Sequence, residues 1–202
     1  MNVPKLRFKK FSSEWESKNL EDITKEKISY GIVQAGVHVE DGVPYIKSSN
    51  VGGKIELSEL QRTSQEIHYK YRRSAVHPND IVFSLRGNIG QVSIVPEKIL
   101  EANLTQGTAR ISVNDANNTL FIFFQLQTNI ALNRIKECSK GSTFKEIPLN
   151  ELRKISILVC TGEEQTKIAY FLTAIDEKIS QLTQKFDLLK QYKKGVMQQI
   201  FS

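Results

Sequence analysis

Four short stretches set side chains with directional hydrogen-bonding groups beside glycine: "YIKSSNVGGK" (residues 45–54), "LRGN" (85–88), "LTQGT" (104–108) and "SKGSTFKEI" (139–147). The first places Lys47, Ser48, Ser49 and Asn50 after a strand and before a glycine pair. The second puts Arg86 and Asn88 at a turn, the third carries Gln106, and the fourth offers Lys140, Ser142, Thr143 and Lys145. Arginine can bond bidentately to guanine, and asparagine or glutamine to adenine; lysine, serine and threonine serve phosphates and bases alike. Each stretch taken singly also reads as an ordinary turn. Their recurrence makes Lys47, Ser49, Asn50, Arg86, Asn88, Gln106, Lys140, Ser142, Thr143 and Lys145 the candidate contacts to a nucleic acid.

Bond-making chemistry has no comparable seat. There is no G-x-x-x-x-G-K-[ST] phosphate loop. The glycines of "VGG" and "RGNIG" do not form a dinucleotide fingerprint. His38, His68 and His77 lack the i, i+4 spacing of a helical metal site, so a surface or turn role is expected for each. Ser84 has no nucleophile elbow around it. Neither an Asn/Asp-Pro-Pro-aromatic motif for methylating a base amine nor a glycine-rich methyl-donor loop is present. Cys138 and Cys160 show no metal or disulfide spacing, and a reduced, cytoplasmic setting is the expectation. The net charge of +6 permits a polyanionic partner without requiring one. The basic excess is spread thinly along the chain, with residues 28–104 holding eight basic and eight acidic groups.

The elements that must position these loops follow from periodicity. Residues 44–47, 81–86, 91–95, 108–113 and 155–159 are rich in β-branched residues and read as strands, bounded by the turns "HPND", "RGN" and "VND". A helix is expected from "TSQE", with Thr63 and Glu66 as a capping box. A second runs from Asn118 or Thr119 to a C-cap at Gly141, its first half apolar on nearly all sides and therefore buried. The expected class is α+β: a globular mixed α/β domain over residues 1–160, followed by a long helix over residues 161–202.

"TGEE" opens that last helix with a second capping box, Thr161 with Glu164, and no proline follows. Either it runs unbroken or it breaks briefly near residues 174–176. Ile168, Leu172, Ile175, Ile179, Leu182, Phe186, Leu189, Lys193, Val196 and Ile200 step by four and three in alternation, an a/d heptad seam. Leu172, Ile175, Ile179, Leu182, Phe186, Leu189, Val196 and Ile200 are its expected interface residues. Packing against another long helix is favoured over lying on the chain's own domain. Two copies of Lys193 would meet in a parallel pair, so antiparallel pairing is expected. Gly195 either permits close helix approach or lets the last turn fray.

Taken together, these residues resemble the specificity (S) subunit of type I restriction–modification systems. "PKLRFKKFSSEWESKNLEDI" (4–23) looks like that family's opening segment, and "DIVFSLRGNIGQVSIV" (80–95) is similar to its glycine-containing hairpin. "GSTFKEIPLNELRKISI" (141–157), "EEQTKIAYFLTAIDEKI" (163–179) and "LLKQYKKGVMQQIF" (188–201) resemble its passage from target-recognition domain to conserved helix. The resemblance implies a non-catalytic, DNA-binding chain whose residues 1–160 read one half of a site, and whose helix is a spacer that docks methyltransferase (M) subunits. It implies no cofactor on this chain, with S-adenosylmethionine on the methyltransferase partner, and restriction (R) subunits in the full complex. The family's usual layout has two recognition domains and two helices, where this sequence has one of each. The expected partner for the seam is therefore a second copy, giving a homodimer on an inverted repeat, or else a different S fragment. A coiled-coil scaffold without DNA binding is the alternative from another class.

Overall fold

The computed structural model describes residues 4–32, 34–138 and 146–202. After an extended N-terminal segment come β1 (Glu16–Asn19), β2 (Ser29–Tyr30), β3 (Val43–Ile46) and β4 (Gln61–Thr63), then helix α1 (Gln65–Tyr71). Next are β5 (Ile81–Ser84), β6 (Val92–Ile94), β7 (Asn103–Leu104), β8 (Thr108–Ile111), α2 (Thr119–Leu126) and α3 (Asn129–Cys138). The chain closes with α4 (Leu149–Arg153), β9 (Ser156–Val159) and α5 (Gly162–Ile200). The α+β class and the long terminal helix are as expected.

The central element is the antiparallel sheet β2-β8-β5-β6. Along β5 the period of two sorts side chains to opposite faces. Ile81 and Phe83 enter one apolar cluster with Ala109, Ile111, Phe121 and Ile122. Val82, between them, enters a second with Ile46, Val76, Val95 and Leu104. That second cluster is covered by the small sheet β4-β3-β7, in which β3 pairs antiparallel with β4 and parallel with β7. Both faces of β5 are thus dry, which is why "DIVFSL" is a nearly continuous apolar run.

Several local expectations need correction. Thr63 ends β4 and its hydroxyl donates to the Ala35 carbonyl (2.6 Å), so Ser64 caps α1, accepting from the Ile67 N–H. The expected helix from residue 118 is two helices. Thr128 turns its hydroxyl back to the Gln125 carbonyl (2.8 Å) and accepts the Ala131 N–H, ending α2 and starting α3. The proposed cap at Gly141 lies outside the described residues. His68 is buried rather than on the surface, its Nδ1 beside the Asn103 amide and its Nε2 3.4 Å from Glu101.

The ends of the head meet at β1 and β9, which pair antiparallel from Glu16↔Val159 to Asn19↔Ser156. Immediately afterwards Thr161 caps α5. Gln165, buried on the first turns of α5, accepts the Asn118 N–H (2.8 Å) and donates to Asn117 Oδ1 and the Cys160 carbonyl, fixing the helix to the start of α2. Glu164, expected to close a capping box with Thr161, instead turns its carboxylate to a two-point ion pair from Arg7 (2.7 and 2.8 Å), which straps the N-terminal segment across the helix base. That bond, outweighing the desolvation that opposes it, raises the Arg7 pKa. Burial first, then the Glu164 carboxylate, pushes the neighbouring Cys160 thiol up to about 12.

Beyond this base α5 leaves the head. It is one helix of 39 residues, about 58 Å long at ~1.5 Å per residue, with no break at 174–176. Residues 174–195 are all exposed. The seam residues Ile179, Leu182, Phe186 and Leu189 each show more than half of their surface, so the head does not cover them.

Candidate nucleic-acid interface

Three of the four polar stretches converge although 59 positions separate Ser48 from Gly107. The hub is Ser48. Its hydroxyl donates to the Gly107 carbonyl (2.9 Å), and its own carbonyl accepts from Asn88 Nδ2 (3.5 Å). The Gly107 carbonyl also receives the backbone N–H groups of Leu85 (2.8 Å) and Arg86 (3.3 Å). A Cβ on Gly107 would sit 2.7 Å from Ser48 Oγ, so a larger residue would push that hydroxyl aside and disturb its bond to the Gly107 carbonyl. Gly87 has φ of 70°, the left-handed turn conformation that reverses the chain between Arg86 and Asn88.

The candidate residues occupy this platform differently. Ser49, Arg86 and Asn88 are exposed, and Lys47, Asn50 and Gln106 half-buried. Lys47 extends its amine to Gln61 Oε1 (3.2 Å), an oxygen that also accepts the Tyr45 hydroxyl (2.6 Å). Asn50 turns its Oδ1 back to the Lys47 N–H (3.0 Å), and so closes its own loop. Bidentate adenine recognition would require that oxygen to be released. Gln106 is set by its backbone N–H, which donates to the Ile32 carbonyl (2.8 Å). Arg86 is ion-paired with Glu146 (2.8 Å), whose backbone forms an antiparallel bridge with that of Arg86. Lys140, Ser142, Thr143 and Lys145 lie outside the described residues.

Glu146, Ser48 and Gly107 are absent from the ten candidate contacts but organise the platform. Ser48 and Gly107 were visible as polar and glycine neighbours of Lys47 and Gln106. Glu146 gave no signal, because its role depends on a contact to a residue sixty positions away. Among the described residues no group of three or more His, Cys, Asp and Glu side chains could hold a metal ion. The platform's described residues offer hydrogen-bond donors, acceptors and two cations, Lys47 and Arg86, on loops fixed by backbone bonds.

The head thus carries a cluster of polar loops, and α5 projects from it with its apolar seam uncovered. The chain belongs to the type I restriction modification DNA specificity domain family, whose profile matches residues 12–191. The EcoBI specificity subunit of Escherichia coli is 30% identical over 159 residues, spanning 77% of this chain and 33% of that protein. This chain therefore matches about a third of that relative's length. A solved chain from work on assembly and conformational transition of the type I R-M system matches with a TM-score of 0.64 at 19% identity, covering 83% of this chain and 40% of that one. The S subunit from M. genitalium matches with a TM-score of 0.57 at 18% identity, over 84% and 41%. These structures share the fold.

Proposed function

We propose that this chain reads one half of a bipartite DNA site and directs partner enzymes to it, without catalysing a reaction itself. Residues 1–160 act as the target-recognition domain and residues 161–202 as the spacer and dimerisation region. The observation that carries this reading is the convergence of Lys47, Arg86, Asn88 and Gln106 around the Ser48–Gly107 contact, in a chain of the DNA specificity family. Lysine and arginine hold phosphates, and the amide and guanidinium groups read base edges in a groove. The methyltransferase subunits dock on the spacer and bring S-adenosylmethionine; restriction subunits complete the assembly. No helix among the described residues is long and apolar enough to cross a membrane. The compartment proposed for this role is the cytoplasm, on the family reading and not on that absence.

The uncovered seam of α5 calls for a second helix, and antiparallel pairing with another copy supplies it with two-fold symmetry. Two heads held at opposite ends of such a rod read an inverted repeat, with the rod setting the gap between half-sites. Methylation mapping in cells that hold this chain and a cognate methyltransferase subunit tests the reading. A methylated, gapped inverted repeat is the expected result, and lengthening α5 by one heptad changes the gap. Absence of any sequence preference and of salt-dependent DNA binding would leave a coiled-coil scaffold instead.

A further inference from the structure

Gln61, at the start of β4, stands opposite Tyr45 of β3 in the antiparallel pair. Ile46 enters the second apolar cluster, so its neighbours Tyr45 and Lys47 turn to the other face of the small sheet. On that face a single atom, Gln61 Oε1, accepts both the Tyr45 hydroxyl (2.6 Å) and the Lys47 amine (3.2 Å). An ammonium group has hydrogens to give and no lone pair, so the amide atom that faces it is the oxygen. The amide is therefore held one way round, with its oxygen drawn back to the buried Tyr45 and its NH2 left over. Gln61 is exposed, and its Nε2 donates to nothing among the described residues.

We infer that Gln61 is a further base-reading residue, that it selects a keto base, guanine or thymine, in the major groove, and that Tyr45 is the positioning residue that holds it to that choice. The inference rests on the half-site reading above and deepens it. A glutamine free to turn offers a donor and an acceptor side by side, and so pairs with N6 and N7 of adenine. Gln61, with its oxygen held back, offers donors alone. Guanine presents O6 and N7 in the major groove and thymine presents O4, all of them acceptors. Cytosine presents its N4 amine and adenine its N6 amine, and an N–H brought against either is left without a partner.

The two donors to Oε1 have different tasks. Lys47 carries a charge, and on DNA its amine turns to a phosphate. Tyr45 is only 6% exposed and makes the shorter bond, so its hydroxyl goes on holding the oxygen once the lysine has left. Asn50 follows the same plan with a backbone donor, since its Oδ1 is taken by the Lys47 N–H (3.0 Å). Gln61 lies outside the ten candidate contacts because no glycine adjoins it; only the pairing of β3 with β4 brings it beside Lys47.

The test is selection of duplexes from a randomised library by the full chain, with the bound pool sequenced. The wild-type chain is expected to enrich a half-site in which one position is guanine or thymine on one strand. Gln61→Glu keeps an oxygen for Tyr45 and Lys47 and presents the other as an acceptor. The keto-to-amino ratio at that position should then fall by roughly tenfold, towards cytosine and adenine, with the other positions unchanged. The added negative charge weakens all duplexes together and cancels in this ratio. Gln61→Leu should make the position indifferent. Tyr45→Phe, which keeps the glutamine and frees its oxygen, should let the position accept adenine as well. Base ratios that both Gln61 variants leave unchanged overturn the role of Gln61 while half-site reading stands. So does a position that prefers A·T to G·C whichever strand carries the purine, the mark of minor-groove reading. A Tyr45→Phe pool identical to the wild-type pool overturns the positioning role of Tyr45. A wild-type chain that enriches no sequence overturns the half-site reading itself.

Discussion

Ile81, Val82 and Phe83 of β5 are wholly buried, alternating between two apolar clusters, whereas Ile179, Leu182 and Phe186 of α5 leave more than half of their surface in water. The residue types are the same and the patterning is equally regular. What differs is whether the chain itself supplies the opposite face. In the head, sheets and short helices close over β5 from both sides, and the apolar surface stabilises one fold. In the rod nothing in the described chain returns to cover the seam, so the same chemistry is left available for assembly. The polar platform divides the labour again: its loops are held by backbone bonds to Gly107 and its charged ends remain outside.

The sharpest way to break this contrast is a matched pair of truncations. Phe83→Ala opens a cavity in the head and should lower unfolding stability by about 3–5 kcal/mol, measured by denaturant titration of the monomer. Phe186→Ala, at a residue 58% exposed, should change monomer stability by no more than about 0.5 kcal/mol and act only on association. Equal losses of monomer stability would mean that the rod is covered by its own head.

A smaller effect is expected at the platform. Arg86→Ala should weaken binding to the cognate duplex by about 1–3 kcal/mol and relax the base preference at one position. Replacing Lys47 should weaken all duplexes alike and flatten the salt dependence. Glu146→Ala should move affinity the other way by less, because its pair with Arg86 is half-exposed, with the two side chains 38% and 45% accessible, and such pairs contribute under about 1 kcal/mol. Fluorescence anisotropy across a salt series separates the three.

The smallest effect is at the helix base. Burial holds the Cys160 thiol protonated well above its ordinary value of 9.0, up to about 12. The unfolded chain gives up this proton first, so stability is unaffected below pH 9 and falls as pH rises from there towards 12. Alkylation followed by peptide mapping should find Cys160 much slower in the native protein than in the denatured one at pH 8.5. Equal rates would mean that the base of α5 is open to solvent.

How much of this was legible in the sequence depended on the length of each repeat. The seam spans several heptads, and the α5 boundary, its Thr161 cap and its exposed stripe were all readable. Strands with both faces buried, β5 and β8, announced themselves through β-branched runs. The strands β2, β4 and β7, of two or three residues, have no room for a period and went unread. The break between α2 and α3 was hidden inside an apolar run; its one signal was Thr128 in "QTN", a capping residue read as helix interior. At the platform, residue types were readable but their orientations were not. Asn50 is folded inward and Arg86 is held by Glu146 because of contacts across the fold that no local pattern encodes.

Antiparallel pairing of α5 is most directly tested by distances between spin labels placed at Tyr170 and Gln198, both on exposed helix surface. In a mixture of singly labelled chains, position 170 of one copy should lie across the pair from position 198 of the other, within side-chain reach of an interhelical spacing near 8–10 Å. The 170–170 and 198–198 distances should each be near 42 Å, the rise of the 28 residues between the two labels. Short 170–170 and 198–198 distances would mean that the helices run parallel, and the two-headed ruler would be wrong.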